Sequence, residues 1–185
     1  MSTVLVILAP GAEEIETITV PDVLVRAGHQ VTIASLTALT VVEGSRGLPL
    51  AAHTRLADVI GRTFDLVYLP GGMGSAEACS TDERVQDLAQ QQLAAGRWLA
   101  VICAAPLALV PRQLCAGRRL TSHPATRTAL EPHCAAWLDQ PVVIDGPLVT
   151  SQGAGTALEL ALTLVELLGT RAAADQVAAA MVARR

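Results

Sequence analysis

Residues 98–106 read Trp-Leu-Ala-Val-Ile-Cys-Ala-Ala-Pro. An unbroken apolar run this short, closed by small residues and a proline, predicts a strand buried on both faces that turns into a helix. Such strands belong to parallel sheets covered by helices, and the rest of the chain repeats the alternation. Residues 3–9 predict a buried strand, Pro10-Gly11 turns the chain, and a helix runs from about residue 14 to 27, where Gly28 stops it. Residues 29–36 and 65–69 predict two more strands, the latter ending in Pro70-Gly71-Gly72. Between them, the Gly44 and Gly47 breaks in residues 40–53 predict a β-hairpin with Ser45 and Arg46 near its tip. A helix is expected over residues 81–95, capped by Thr81 and stopped by Gly96, and another just beyond Cys103. A short strand near Leu120, a strand pair around residues 142–150 and helices over about 156–168 and 171–183 complete the pattern. The fold class is α/β, a doubly wound, mostly parallel sheet with helices on both faces. Ligands in such sheets bind beyond the carboxyl ends of the strands. Three loops there draw attention: Ala9-Pro10-Gly11, Pro70-Gly71-Gly72 and Cys103-Ala104-Ala105.

Composition agrees with one domain over residues 1–185. Hydrophobic residues make up 51% and charged residues 16%, with mean hydropathy +0.45, enough for a large core. A formal net charge of −4 and 2% aromatic content argue against a nucleic-acid partner. All 13 basic residues are Arg, and the chain has neither Lys nor Asn. Schiff-base and P-loop lysine chemistry are thereby excluded, and an oxyanion site needs backbone amides or other side chains. No run approaches the roughly 18 apolar residues of a membrane span, and the N-terminus lacks a basic signal-peptide region, so no membrane partner is expected. Four irregularly spaced cysteines fit a reducing, cytoplasmic setting. Cys115, His123, His133 and Cys134 lack paired ligand spacing, so neither metal nor organic cofactor is expected.

Three side chains carry candidate chemistry. Cys103 sits at a strand-to-helix corner, where unpaired amides and the helix dipole lower a thiol pKa, in known cases to roughly 3.5–7.5. The competing reading is a small apolar residue closing a strand. Cys79, Cys115 and Cys134 lack that setting. In Glu13-Glu14-Ile15-Glu16 the acids suit a helix N-terminus, and Glu16 is far enough along to turn its carboxyl back toward Cys103. His123, in Thr121-Ser122-His123-Pro124, is either a loop residue held extended by proline or an acid–base group.

The stretches Leu-Val-Ile-Leu-Ala-Pro-Gly-Ala-Glu-Glu-Ile-Glu-Thr at 5–17, Leu-Pro-Gly-Gly at 69–72, Ala-Val-Ile-Cys-Ala-Ala-Pro at 100–106 and Thr-Ser-Gln-Gly-Ala-Gly-Thr at 150–156 resemble, in collinear order, the ThiJ/PfpI superfamily. They look most like its branch of bacterial YajL and the human parkinsonism-associated deglycase. The resemblance implies a flavodoxin-like homodimer with Cys103 as an oxidation-prone thiolate. It also implies a protonated Glu16 donating to the sulfur, a nearby His123, and Gly72 and Ala104 amides binding an oxyanion. Ala154 stands where relatives often carry Pro and Met73 where human-like members are polar. Ala104 in place of the protease-type histidine disfavours a protease, and the absent G-x-C-x-G and H-x-E patterns disfavour a glutamine amidotransferase. The implied activity is a glutathione-independent glyoxalase or protein deglycase, acting on α-oxoaldehydes such as methylglyoxal, free or as adducts on amines and thiols. The alternative is a redox-responsive chaperone or oxidative-stress sensor that works through Cys103 oxidation without turnover. Pairing of two copies is also expected from the first helix, apolar beyond one face at Ile18, Val20, Val23, Leu24 and Val25.

Overall fold

The computed structural model describes residues 1–183. In chain order the elements are β1 (Thr3–Leu8), α1 (Glu14–Arg26), β2 (Gln30–Ser35), β3 (Val41–Glu43), β4 (Pro49–Ala51), β5 (Thr54–Arg55), β6 (Leu66–Leu69), α2 (Met73–Thr81) and α3 (Glu83–Ala94). They continue with β7 (Trp98–Ile102), β8 (Arg119–Leu120), α4 (Arg127–Leu130), β9 (Ala136–Trp137), β10 (Val142–Asp145), β11 (Leu148–Ser151), α5 (Ala157–Leu168) and α6 (Arg171–Ala180). The main sheet has the order β10-β11-β7-β6-β1-β2-β5, parallel except for β10 against β11. Its central order, β2-β1-β6-β7-β11, is the flavodoxin-like one.

Successive side chains of a strand face opposite ways, and here both ways lead into a core. Leu5, Ile7, Val67, Leu69, Leu99 and Val101 pack with Cys79 of α2 and Val85, Leu88 and Ala89 of α3. Val4, Val6, Leu66, Tyr68, Ala100 and Ile102 pack with α1, α5 and α6. The unbroken apolar strands of the sequence are the consequence of this double burial.

Several expectations shift in the structure. The helix placed at 81–95 is two helices. Thr81 ends α2, its hydroxyl donating to the Glu77 carbonyl at 3.2 Å. Asp82 caps α3 instead, with Oδ1 accepting from the Arg84 amide at 2.9 Å. After Cys103 the chain forms only a 3₁₀ turn, Ala105–Leu109, and not an α-helix. Pro111 cannot donate a backbone bond and its ring would collide with the Leu107 carbonyl of a continuing helix. Asp65 lies outside β6, its carboxylate accepting from the Thr3 amide at 2.7 Å. The last helix stops at Ala180, three residues before its expected end at 183. The predicted hairpin is β3 paired antiparallel with β4, with Ser45 and Arg46 in its connection.

On α1, Val20, Val23 and Leu24 belong to the core. Ile18 and Val25 point outward with Ile15, so only part of the expected apolar surface is on the outside.

Candidate active site

The three loops singled out in the sequence meet at one end of the sheet. Gly72, Cys103, Ala104 and His123 line an open cleft of about 730 Å³, together with Ser45 and Arg46 from the hairpin. Cys103 occupies the left-handed region at φ 63°, a conformation that costs of order 1–3 kcal/mol in a non-glycine residue. Its amide donates to the Ser151 carbonyl and its carbonyl accepts from the His123 amide, each at 2.9 Å. The bonds anchor the elbow between β11 and the His123 loop. The sulfur interacts with the Gly72 and Ala104 amides and with the Glu16 carboxyl.

Glu16 is fully buried. Its Oε2 accepts from the Gly71 amide at 2.8 Å, whereas the buried Oε1 has no hydrogen-bond partner. Glu13 caps α1 by accepting from the Glu16 amide at 2.8 Å, and the Tyr68 hydroxyl donates to the Glu16 carbonyl at 3.1 Å. The Glu16 backbone is thus held from both sides of the helix start. Gly71 makes room for the pair: a Cβ there would fall 2.5 Å from the Cys103 Cβ and 2.6 Å from Glu16 Oε2.

Burial raises the Glu16 pKa to about 7, against the opposing Gly71 amide. Burial also pushes the Cys103 thiol up, to about 11, helped by the Glu16 charge and opposed by the Gly72 and Ala104 amides. The direction is opposite to that expected from a helix N-terminus. The single 3₁₀ turn after Cys103 supplies little dipole, and desolvation outweighs it. The two groups titrate as a pair, so a proton on Glu16 removes the charge that resists thiolate formation.

His123 is exposed on the cleft wall. Its Nδ1 accepts from the Ala125 amide at 3.2 Å, which leaves the proton of the neutral ring on Nε2. Trp137 Nε1 donates to Ser122 Oγ at 2.9 Å, and Thr126 Oγ1 donates to the His123 carbonyl at 2.8 Å. Both bonds steady the loop. Cys103 therefore interacts with Glu16, Gly72 and Ala104, and His123 lines the same cleft. Cys79 and Cys115 are buried, and burial pushes each thiol up to about 12.

Sequence reasoning missed the hairpin's part in this cleft. Glu14 Oε1 accepts from the Arg46 amide at 2.6 Å and Oε2 from the Ser45 hydroxyl at 2.9 Å. A Cβ on Gly44 would lie 2.5 Å from Glu14 Oε1. The Gly44 break was legible, but not the carboxylate that needs it.

Residues 2–167 match the DJ-1/PfpI family. The chain belongs to the DJ-1/PfpI family. Among family members it is similar to Protein dj-1beta of Drosophila melanogaster, 43% identical over 174 residues and covering 94% of this chain and 93% of the relative. The crystal structure of Drosophila melanogaster DJ-1beta superposes with a TM-score of 0.97 at 41% identity, covering 100% of both chains. A Caenorhabditis elegans relative named Glutathione-independent glyoxalase DJR-1.2 is 36% identical over 165 residues, covering 89% of this chain and 87% of its own. The family resemblance read from the motifs is the family found, and its flavodoxin-like architecture is the one observed.

Proposed function

We propose that this protein is a cysteine-dependent enzyme converting α-oxoaldehydes such as methylglyoxal into hydroxy acids, with the same chemistry open to aldehyde adducts on amines and thiols. One observation carries the reading: a fully buried carboxyl with an unpartnered oxygen stands beside a strained thiol at the base of an open cleft. A buried carboxylate with an unsatisfied oxygen is costly, and a proton on that oxygen relieves the cost while making it a donor. The Caenorhabditis elegans relative, named a glutathione-independent glyoxalase, supports the substrate class.

Between about pH 7 and about 11 the Glu16–Cys103 pair holds one proton. With that proton on Glu16, the thiolate adds to the aldehyde carbon, and the carbonyl electron pair moves to an oxygen held by the Gly72 and Ala104 amides. Glu16 gives its proton to that oxygen, which completes a hemithioacetal and leaves the carboxylate able to act as a base. Glu16 then removes the former aldehyde C–H proton while His123 Nε2–H protonates the neighbouring ketone oxygen, which leaves an enediol. Return of the proton to the adjacent carbon, with loss of the O–H proton, yields the thioester of a hydroxy acid. Water hydrolyses it and restores the thiol. The aldehyde carbon is oxidised, the ketone carbon is reduced and one water is consumed, so no outside oxidant or cofactor enters the balance.

We place the enzyme in the cytoplasm as a homodimer, joined through the outward residues Ile15, Ile18 and Val25 of α1. The test is D-lactate formation from methylglyoxal by the wild type and by Cys103→Ser. Lactate from the wild type alone supports the reading. No lactate from either protein, together with oxygen uptake at Cys103 on peroxide treatment, turns the assignment to a redox sensor.

A further inference from the structure

Of the four cysteines, two come together away from the cleft. Cys115 is fully buried and Cys134 half-buried, and Cys134 packs against the apolar cluster that contains Cys115. Their backbones meet through Arg118. Its amide donates to the Cys115 carbonyl at 3.1 Å, and its carbonyl accepts from the amide of Ala135, next to Cys134, at 2.8 Å. Parallel pairing of Arg119 with Ala136 and of Leu120 with Trp137 carries that contact on into β8 and β9. The thiols also sense each other, since a charge on Cys134 adds to the burial that pushes the Cys115 thiol up. Cys79 and Cys103 have other neighbours: Ser75 bonds the first, and Glu16 with the Gly72 and Ala104 amides the second.

We propose that Cys115 and Cys134 form a second oxidation site, which closes to a disulfide when a hydroperoxide meets Cys134. The proposal is independent of the reaction proposed above, because neither thiol lines the cleft that holds Cys103. The half-buried Cys134 is the thiol a peroxide reaches, and the buried Cys115 is the one that resolves it. The Cys134 thiolate attacks a peroxide oxygen and the O–O bond breaks, giving a sulfenic acid and releasing water or an alcohol. The Cys115 sulfur then attacks the Cys134 sulfur, the S–O bond breaks, and the oxygen leaves as water with the remaining thiol proton. Two electrons pass from the thiol pair to the peroxide, and nothing else is consumed. Residues 115–134 enclose the His123 loop and α4, so the bond ties together the two ends of the segment that brings His123 to the cleft. Closing that loop restricts the unfolded segment, which should then open less often.

The experiment treats the reduced wild type with stoichiometric hydrogen peroxide, then with iodoacetamide and trypsin, and weighs the peptides with and without reductant. The peptide of residues 113–118 should be found joined to that of residues 128–171, each of which carries a single cysteine. Cys103→Ser should give the same link and Cys134→Ala none. In the oxidised wild type, amide exchange over residues 119–133 should slow at least about tenfold relative to the reduced protein, an effect absent from Cys134→Ala. Absence of the link in a sample whose Cys103 has been oxidised overturns the proposal, as does a link through Cys79 or Cys103 or one between two chains. A link that leaves the exchange unchanged refutes the restraint on the His123 loop.

Discussion

Glu16 couples the chemistry of the site to the stability of the fold. Its carboxyl titrates near 4.5 in an unstructured chain and at about 7 when folded, so the folded state binds the proton more tightly. Its contribution to stability is complete below pH 4.5 and is lost as the pH rises through about 7, a loss of about 3 kcal/mol at most. Glu16→Gln should therefore be more stable than the wild type at pH 8 and show little difference at pH 4, as measured by urea unfolding at both values. Equal differences at the two pH values would mean that Glu16 does not carry a buried proton. The same variant keeps a donor for the sulfur and removes the neighbouring negative charge, so Cys103 alkylation at pH 8 should be no slower. Its turnover of methylglyoxal should fall at least about a hundredfold, because an amide cannot exchange a proton with substrate. At Gly71, alanine should force Cys103 and Glu16 apart, since its methyl would press on both. Loss of turnover with near-wild-type circular dichroism is expected. Full activity in Gly71→Ala would show that the close approach of the pair is dispensable.

Among the elements, the β3–β4 hairpin matters most for the cleft, and Glu14 is its latch. Glu14→Ala removes both bonds to the connection. Amide exchange at Ser45 and Arg46 should then speed up at least about tenfold while β1 amides stay protected, since exposed, weakly bonded segments open first. Unchanged exchange would assign the hairpin's rigidity to its own ladder. The hairpin was legible from Gly44 and Gly47, and the main strands from apolar runs bounded by Gly and Pro, because double burial leaves no polar break in them. α2 was not legible. Met73, Gly74 and Ser75 form a poor helix start, and the segment is held by packing of Ala76 and Cys79 rather than by propensity. Thr81 was a reasonable cap by type, but Asp82 stood next to it with a carboxylate better placed for the α3 amides. The turn after Cys103 depended on Pro111, whose effect reaches back over the residues before it.

For the whole molecule, strand order brings residues distant in sequence to one sheet end. Glu16, Gly72, Cys103 and His123 were legible as candidates because each lies in or just after a loop at a strand's carboxyl end. Gly71 was not, since its importance lies in what stands opposite it: two side chains where its Cβ would sit. The outward apolar stripe of α1 carries a separate prediction. Ile15, Ile18 and Val25 are each at least half exposed, and the chain should sediment as a dimer that Ile18→Glu splits without loss of helix content. A monomeric wild type at micromolar concentration would exclude that face as a dimer interface.

The central claim is a reaction, not only a reactive thiol, and it is tested by following methylglyoxal loss and lactate formation in the same sample, for the wild type and for Cys103→Ser. The wild type should form one lactate for each aldehyde consumed and continue through many turnovers, while the variant forms none. Aldehyde loss that stops at one equivalent per chain without lactate, or equal lactate from both proteins, would contradict it.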